Sequence, residues 1–126
     1  MAFIFYNANP LQSFNGDCVV RALSLANHSD WKETFIGLCL QGYRMCDMPS
    51  SNRVWAEYLK KQGWIKSALP ECCYTINDFC RDFSKGTYIV GTGTHVVTVI
   101  DGNLYDTWNS GSEQPIYYWR YTDGIQ

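Results

Sequence analysis

The apolar pattern changes period once along this chain, at Gly86, and that change does most to limit its fold. Before it, apolar residues recur at helical spacing: Val19, Val20, Leu23 and Ala26 in one segment, then Trp31, Phe35, Leu38 and Tyr43 in the next. After it, the runs 87–92, 95–100, 103–109 and 116–121 are rich in Val, Ile, Thr, Tyr and Trp and read as strands. Helices first and strands afterwards give an α+β domain rather than an alternating α/β one. Short links between the strands favour antiparallel pairing. With no linker or internal repeat, residues 1–126 read as one domain.

The helix boundaries follow from caps. The first helix is expected over about 17–27, after the cap region Asn15-Gly16-Asp17. Asp30, with Glu33 three residues on, opens a second over about 31–45. Pro49-Ser50-Ser51-Asn52 breaks the chain before a third, about 53–62, which ends at Gly63 with Lys60 and Lys61 in its last turn. Thr75 caps a fourth, about 76–84, with Asp78 at the third position. Residues 2–6 suggest a short strand or an extended arm.

Asp101-Gly102, between two β-rich runs, signals a two-residue type I′ hairpin turn. That turn sets Ile100 opposite Asn103, Val97 opposite Asp106 and His95 opposite Trp108. His95 and Asp106 then project from one side as diagonal neighbours, roughly 7 Å apart at the backbone and close enough for imidazole and carboxylate to touch. In this arrangement an acid fixes the tautomer of a catalytic base. A longer turn shifts the register by one and sets Asn109 opposite His95, where an amide does the same job. The shorter turn suits Asp-Gly better and favours Asp106. The other histidine, His28, falls at the expected end of the first helix and reads as structural, because a cation suits the dipole there.

Cys18 stands at the start of the first helix, where free backbone amides and the positive dipole end favour thiolate over thiol. A nearby imidazole lowers its pKa further by forming an ion pair. The plainer alternative is that Cys18 packs against Val19 and Leu23 as a small hydrophobe. Gln12, six residues earlier in the loop, can donate to an oxyanion together with the Cys18 N–H. Taken alone, a loop Gln is usually polar surface.

The other cysteines, at 39, 46, 72, 73 and 80, form no C-x-x-C pair, and no zinc site or other cofactor is expected. A reducing compartment makes thiols the default. Cys39, Cys46 and Cys80 fall in helical segments and read as small apolar residues. A redox or metal role for adjacent Cys72-Cys73 is a third-ranked reading. A net charge of −2, with Lys and Arg scattered, offers no basic stripe for nucleic acid. No apolar run approaches the roughly 20 residues of a membrane-spanning helix, and residues 2–6 lack the length and basic start of a signal peptide. The expectation is a soluble cytoplasmic protein.

Together these residues resemble the papain-like cysteine peptidase superfamily. The order is Gln, Cys at a helix start, His opening a strand, then Asp or Asn on the next strand. Gln12-x5-Cys18 is similar to the spacing in papain-type and bacteriocin-processing peptidases. Asn15-Gly16-Asp17-Cys18 and the run from His95 through Asp101-Gly102 to Asp106 resemble the bacteriocin-processing branch. Val19 follows the cysteine where papain-type enzymes usually carry Gly or Trp. The likeness covers about 12–27 and 87–110. It implies a papain-like fold, with N-terminal helices packed on a C-terminal antiparallel sheet. It also implies Cys18 as nucleophile, His95 as base, Asp106 (or Asn109) as orienter and Gln12 as oxyanion donor. The chain also resembles small proteins encoded by bacteriophages, for which the host cytoplasm is the expected compartment.

The leading functional expectation is acyl transfer to or from a protein or peptide amide or isopeptide, with hydrolysis as the default and transferase chemistry left open. The runner-up is a non-catalytic binding or counter-defence protein on the same scaffold, sequestering a host protein or a nucleotide signal. Its basis is the aromatic cluster Trp108, Tyr117, Tyr118, Trp119 and Tyr121.

Overall fold

The computed structural model describes residues 2–13, 15–69 and 73–122. Cys72, half of the pair weighed as a redox or metal site, lies outside them. The elements in order are β1 (Phe3–Phe5), α1 (Cys18–Ala26), α2 (Trp31–Met45), α3 (Asn52–Lys61), β2 (Trp64–Ala68), α4 (Ile76–Asp82), β3 (Thr87–Gly91), β4 (Val96–Ile100), β5 (Asn103–Asp106) and β6 (Tyr117–Tyr121). The fold is α+β, as the change of period indicates. No helix among the described residues is long and apolar enough to cross a membrane.

All six strands form one sheet in the order β1-β5-β4-β3-β6-β2. Four neighbouring pairs are antiparallel, but β1 runs parallel to β5, so the sheet is mixed rather than wholly antiparallel. The expected arm at the chain start is therefore an edge strand. Its tail holds the end of β5 through Tyr6 N–H donating to the Asp106 carbonyl at 2.9 Å.

The β4–β5 hairpin has the anticipated register: Thr98 faces Tyr105, Val99 faces Leu104 and Ile100 faces Asn103. Asp101 and Gly102 both take positive φ, 50° and 77°, as a type I′ turn requires. β5 stops at Asp106, short of the expected 109, because the chain bends around that carboxylate. Caps behave as read. The Asp30 side chain accepts the Glu33 N–H at 2.7 Å, and Thr75 and Asp78 form a reciprocal capping box.

The sheet is covered on both faces. On one side, α1–α3 bury Ala22, Leu23, Leu38, Trp55 and Leu59 against Trp64, Ile89, Val96 and Trp119 of the sheet. On the other, Ile76, Phe79 and Cys80 of α4 pack on Val90, Val97, Val99 and Leu104. Alternate residues of β3 and β4 thus serve opposite cores. This is why β4 reads as a nearly unbroken apolar run.

Two further points depart from the sequence reading. The buried stripe of α2 is Thr34, Leu38, Gln41 and Gly42, whereas Phe35 and Tyr43 are 42% and 83% exposed. The helix turns a polar face inward because Ser24 Oγ donates to Thr34 Oγ1 at 2.9 Å and Lys61 Nζ to Gln41 Oε1 at 3.0 Å, which satisfies those groups. Strand β2 has no counterpart in the sequence reading. As an edge strand it buries Trp64 alone of its large residues, so it shows no clear alternation.

Candidate active site

Three elements meet at one end of the sheet. The start of α1 supplies Cys18, the residue before β4 supplies His95, and the end of β5 supplies Asp106. His95 is fixed by a tight turn. Thr92 N–H donates to the His95 carbonyl at 2.8 Å, and His95 N–H returns to Thr92 Oγ1 at 3.0 Å. The hairpin register then carries the ring to Asp106, with Nε2 2.7 Å from Oδ2. This leaves Nδ1 as the ring nitrogen that meets Cys18, the other hydrogen-bond partner of the imidazole.

The electrostatics of the pair are reciprocal. Burial alone would raise the Cys18 thiol, but hydrogen bonds from the His95 ring and the Val96 N–H, with the charges of His95 and Arg21, bring it below its ordinary 9.0. Burial alone would lower His95. Hydrogen bonds to Asp106 and Cys18, with both negative charges, instead raise it from 6.5 to about 9. Both shifts favour thiolate beside imidazolium.

Asp106 is buried, and its charge is well met. Oδ2 also accepts the Ser110 hydroxyl at 2.7 Å, Oδ1 accepts the Thr107 N–H at 2.7 Å, and Arg21 Nη2 stands 3.8 Å from Oδ1. Arg21 also pairs with Asp17, four residues back at the N-cap of α1. Asp17 in turn accepts the Trp31 indole N–H at 2.8 Å and the Asn9 amide at 3.3 Å. Trp108 lies over His95 with ring centroids 5.1 Å apart, shielding the imidazole from one side.

Two of the sequence assignments stand differently. Gln12 is exposed, with a positive φ of 55°, and its amide donates to the Asn7 and Asn9 carbonyls at 3.0 and 2.9 Å. Both amide hydrogens are thereby committed, so the side chain is not free to act as oxyanion donor. Asn109 is exposed, and its Oδ1 accepts the Gly111 N–H at 3.0 Å, so it does not reach His95 as an orienter. His28 is exposed and takes a left-handed φ of 55° just past the end of α1.

Sequence reasoning missed Tyr117 as a neighbour of the site. Burial, and after it the charge of Cys18, push its phenol up to about 12. The available signal was Gly91, a glycine inside a strand, which often marks the close approach of another group. A Cβ on Gly91 would lie 2.1 Å from Tyr117 Cζ. Two of the remaining four C-terminal aromatics serve the core. Trp119 is fully buried and Tyr118 packs on Phe79 and Phe83, while Trp108 and Tyr121 are 46% and 52% exposed.

The niche between Cys18, Arg21 and Tyr105 measures only about 10 Å³, room for about one water, so a substrate is not admitted there. A much larger cavity of about 750 Å³ lies at the far end of α1, beside Asn27, Tyr58, Trp64 and Tyr121. The length of α1, about 13 Å for nine residues, separates it from Cys18. Cavity volume therefore does not mark the chemistry here. Among the described residues, no cluster of three His, Cys, Asp or Glu side chains is placed to hold a metal ion. No protein-family model, curated protein or solved structure matches the chain.

Proposed function

We propose that this protein is a cysteine-dependent acyl-transfer enzyme with a papain-like arrangement, hydrolysing an amide or isopeptide bond of a peptide or protein. One observation carries the reading: a thiol hydrogen-bonded to an imidazole whose other nitrogen is held by a buried carboxylate, with thiol and imidazole perturbed in opposite directions. Core packing alone has no need of that sequence of groups.

In this mechanism the Cys18 thiolate attacks the carbonyl carbon and the C=O electron pair moves to oxygen. The Cys18 N–H, one of the donors at the start of α1 that have no partner within the helix, faces the resulting charge. His95 gives its Nδ1 proton to the leaving amine as the C–N bond breaks, which yields a thioester. Neutral His95 then takes a proton from water as that water attacks the thioester, and the acid leaves. Asp106 keeps the ring oriented throughout and balances the imidazolium.

Substoichiometric iodoacetamide at neutral pH, followed by peptide mapping, tests the reading. Cys18 should be alkylated ahead of the other five cysteines, including the exposed Cys46. Labelling that instead follows exposure, with Cys46 first, refutes it. A Cys18→Ala protein that still cleaves proteome-derived peptides as the wild type does would also refute it.

A further inference from the structure

Attack by Cys18 places negative charge on a carbonyl oxygen, and the amide of Gln12 is already committed to Asn7 and Asn9. The surroundings of the thiol hold another donor. Tyr117 opens β6 and is paired with Gly91 of β3. Gly91 is in turn paired with Val96 of β4, whose N–H meets the Cys18 sulfur. These residues therefore line adjacent strand ends at the same end of the sheet as the thiol.

The absence of a side chain at Gly91 lets the phenol ring lie across the strand. A Cβ there would be 2.3 Å from the Tyr117 hydroxyl oxygen as well as 2.1 Å from Cζ. Trp55 backs the ring at a centroid distance of 6.2 Å, and Lys66 Nζ stands 4.5 Å from its centroid. Tyr117 is half-buried, and its hydroxyl makes no hydrogen bond to any described residue. It is thus a donor with no acceptor among the described residues, at the same end of the sheet as a thiol whose transition state needs one.

Building on the acyl-transfer reading, we propose that Tyr117 is a catalytic residue whose hydroxyl donates to the oxyanion formed at Cys18, the role the sequence assigned to Gln12. When the S–C bond forms and the carbonyl electron pair moves to oxygen, that oxygen accepts from Tyr117 Oη–H and from the Cys18 N–H. When the tetrahedral species collapses, the pair returns to the carbonyl and the leaving group departs. Tyr117 keeps its proton throughout, in keeping with a phenol pushed up to about 12.

Two reactions of one thiol separate this role from others. Acylation by p-nitrophenyl acetate passes through an oxyanion: sulfur bonds to the acetyl carbon, and nitrophenolate leaves without needing a proton. Alkylation by iodoacetamide displaces iodide and forms no oxyanion. Tyr117→Phe keeps the ring over Gly91 and removes only the hydroxyl. Its melting temperature, compared with that of the wild type, checks that the fold is kept. It should slow Cys18 acylation on the order of 100-fold while leaving alkylation near the wild-type rate. Unchanged acylation in Tyr117→Phe, with wild-type acylation dependent on Cys18, overturns the Tyr117 assignment and leaves the acyl-transfer reading standing. An equal loss in both reactions overturns it too, because the hydroxyl would then act on the thiolate itself. If wild type and Cys18→Ser release nitrophenolate equally, the acyl-transfer reading falls and takes this assignment with it.

Discussion

Replacing Asp106 by Asn tests the electrostatic core of the site, because the shape is kept while the charge is lost. The wild-type imidazole is raised from 6.5 to about 9, a preference for the protonated form of about 3 kcal/mol at 1.36 kcal/mol per pH unit. Hydrogen bonds to Asp106 and Cys18 supply that preference against burial. A charge-assisted hydrogen bond contributes about 1.5–3 kcal/mol and a neutral one about 0.5–1.5. The exchange therefore removes about 1.5 kcal/mol, or a factor of about ten. The imidazolium weakens, and the thiolate loses the cation that lowers it. The Cys18 titration midpoint should accordingly rise by about one pH unit. Thiolate absorbance in the ultraviolet, taken as the difference from Cys18→Ser protein across the pH range, reads that midpoint directly. The fold should persist, since Arg21 retains Asp17 and Ser110 can still donate to an amide oxygen. If the two titration curves superimpose, Asp106 does not support the ion pair and the reasoning fails.

The same pair predicts an unusual pH dependence of stability. From 6.5 towards about 9 the raised imidazole keeps a proton that the unfolded chain has lost, while the lowered thiol gives up its proton before the unfolded chain does, so the two contributions to the slope oppose each other in wild type. In Cys18→Ser the thiol contribution is gone, and the imidazole is held up against burial by Asp106 alone. Its stabilisation is complete below 6.5 and lost as pH rises through the folded-state value, at up to about 1.4 kcal/mol per pH unit. Unfolding free energy from denaturant titrations at stepped pH should therefore fall more steeply with pH in the variant than in wild type; parallel slopes would contradict the pairing. Gly91→Ala should cost about 1–3 kcal/mol by driving a methyl into the Tyr117 ring, whereas Gly93→Ala, whose Cβ would meet nothing within 4 Å, should be near neutral. Thermal unfolding compares the two directly, and equal melting temperatures would show that Gly91 is not the seat of a close approach.

What the sequence made legible was set by local rules. Asp101-Gly102 specifies its turn through φ, the turn specifies the register, and the register joins His95 to Asp106, so one dipeptide places two residues of the site. The caps at Asp30 and Thr75 are equally local. The parts that escaped depend on distant groups. Tyr117 approaches Gly91 only because β6, 26 residues later in the chain, pairs with β3. Gln12 was misread because the loop before α1 is closed by its own polar groups. Asn7 Oδ1 takes the Asn9 N–H and Asn9 Oδ1 takes the Leu11 N–H, which brings the Asn7 and Asn9 carbonyls to the Gln12 amide. Spacing alone cannot distinguish an amide aimed at a thiol from one spent on its own loop.

The charges at this end of the sheet alternate in sign: Asp17, Arg21, Asp106, His95 and Cys18, each in contact with the next. Burying ionisable groups costs several kcal/mol each before pairing, and a well-packed apolar replacement is often as stable or more so. The two apolar cores on either face of the sheet contain none of the four charged residues, and Cys18 only borders one of them, so neither core requires the series. Alternation makes it tolerable, since every internal member has an opposite charge on both sides. The series ends on a thiol, whose negative charge is favoured by His95 and, less strongly, by Arg21. Placing that series at a cysteine, where it favours the thiolate that can attack a carbonyl carbon, is the physical ground for reading the site as chemistry rather than as support.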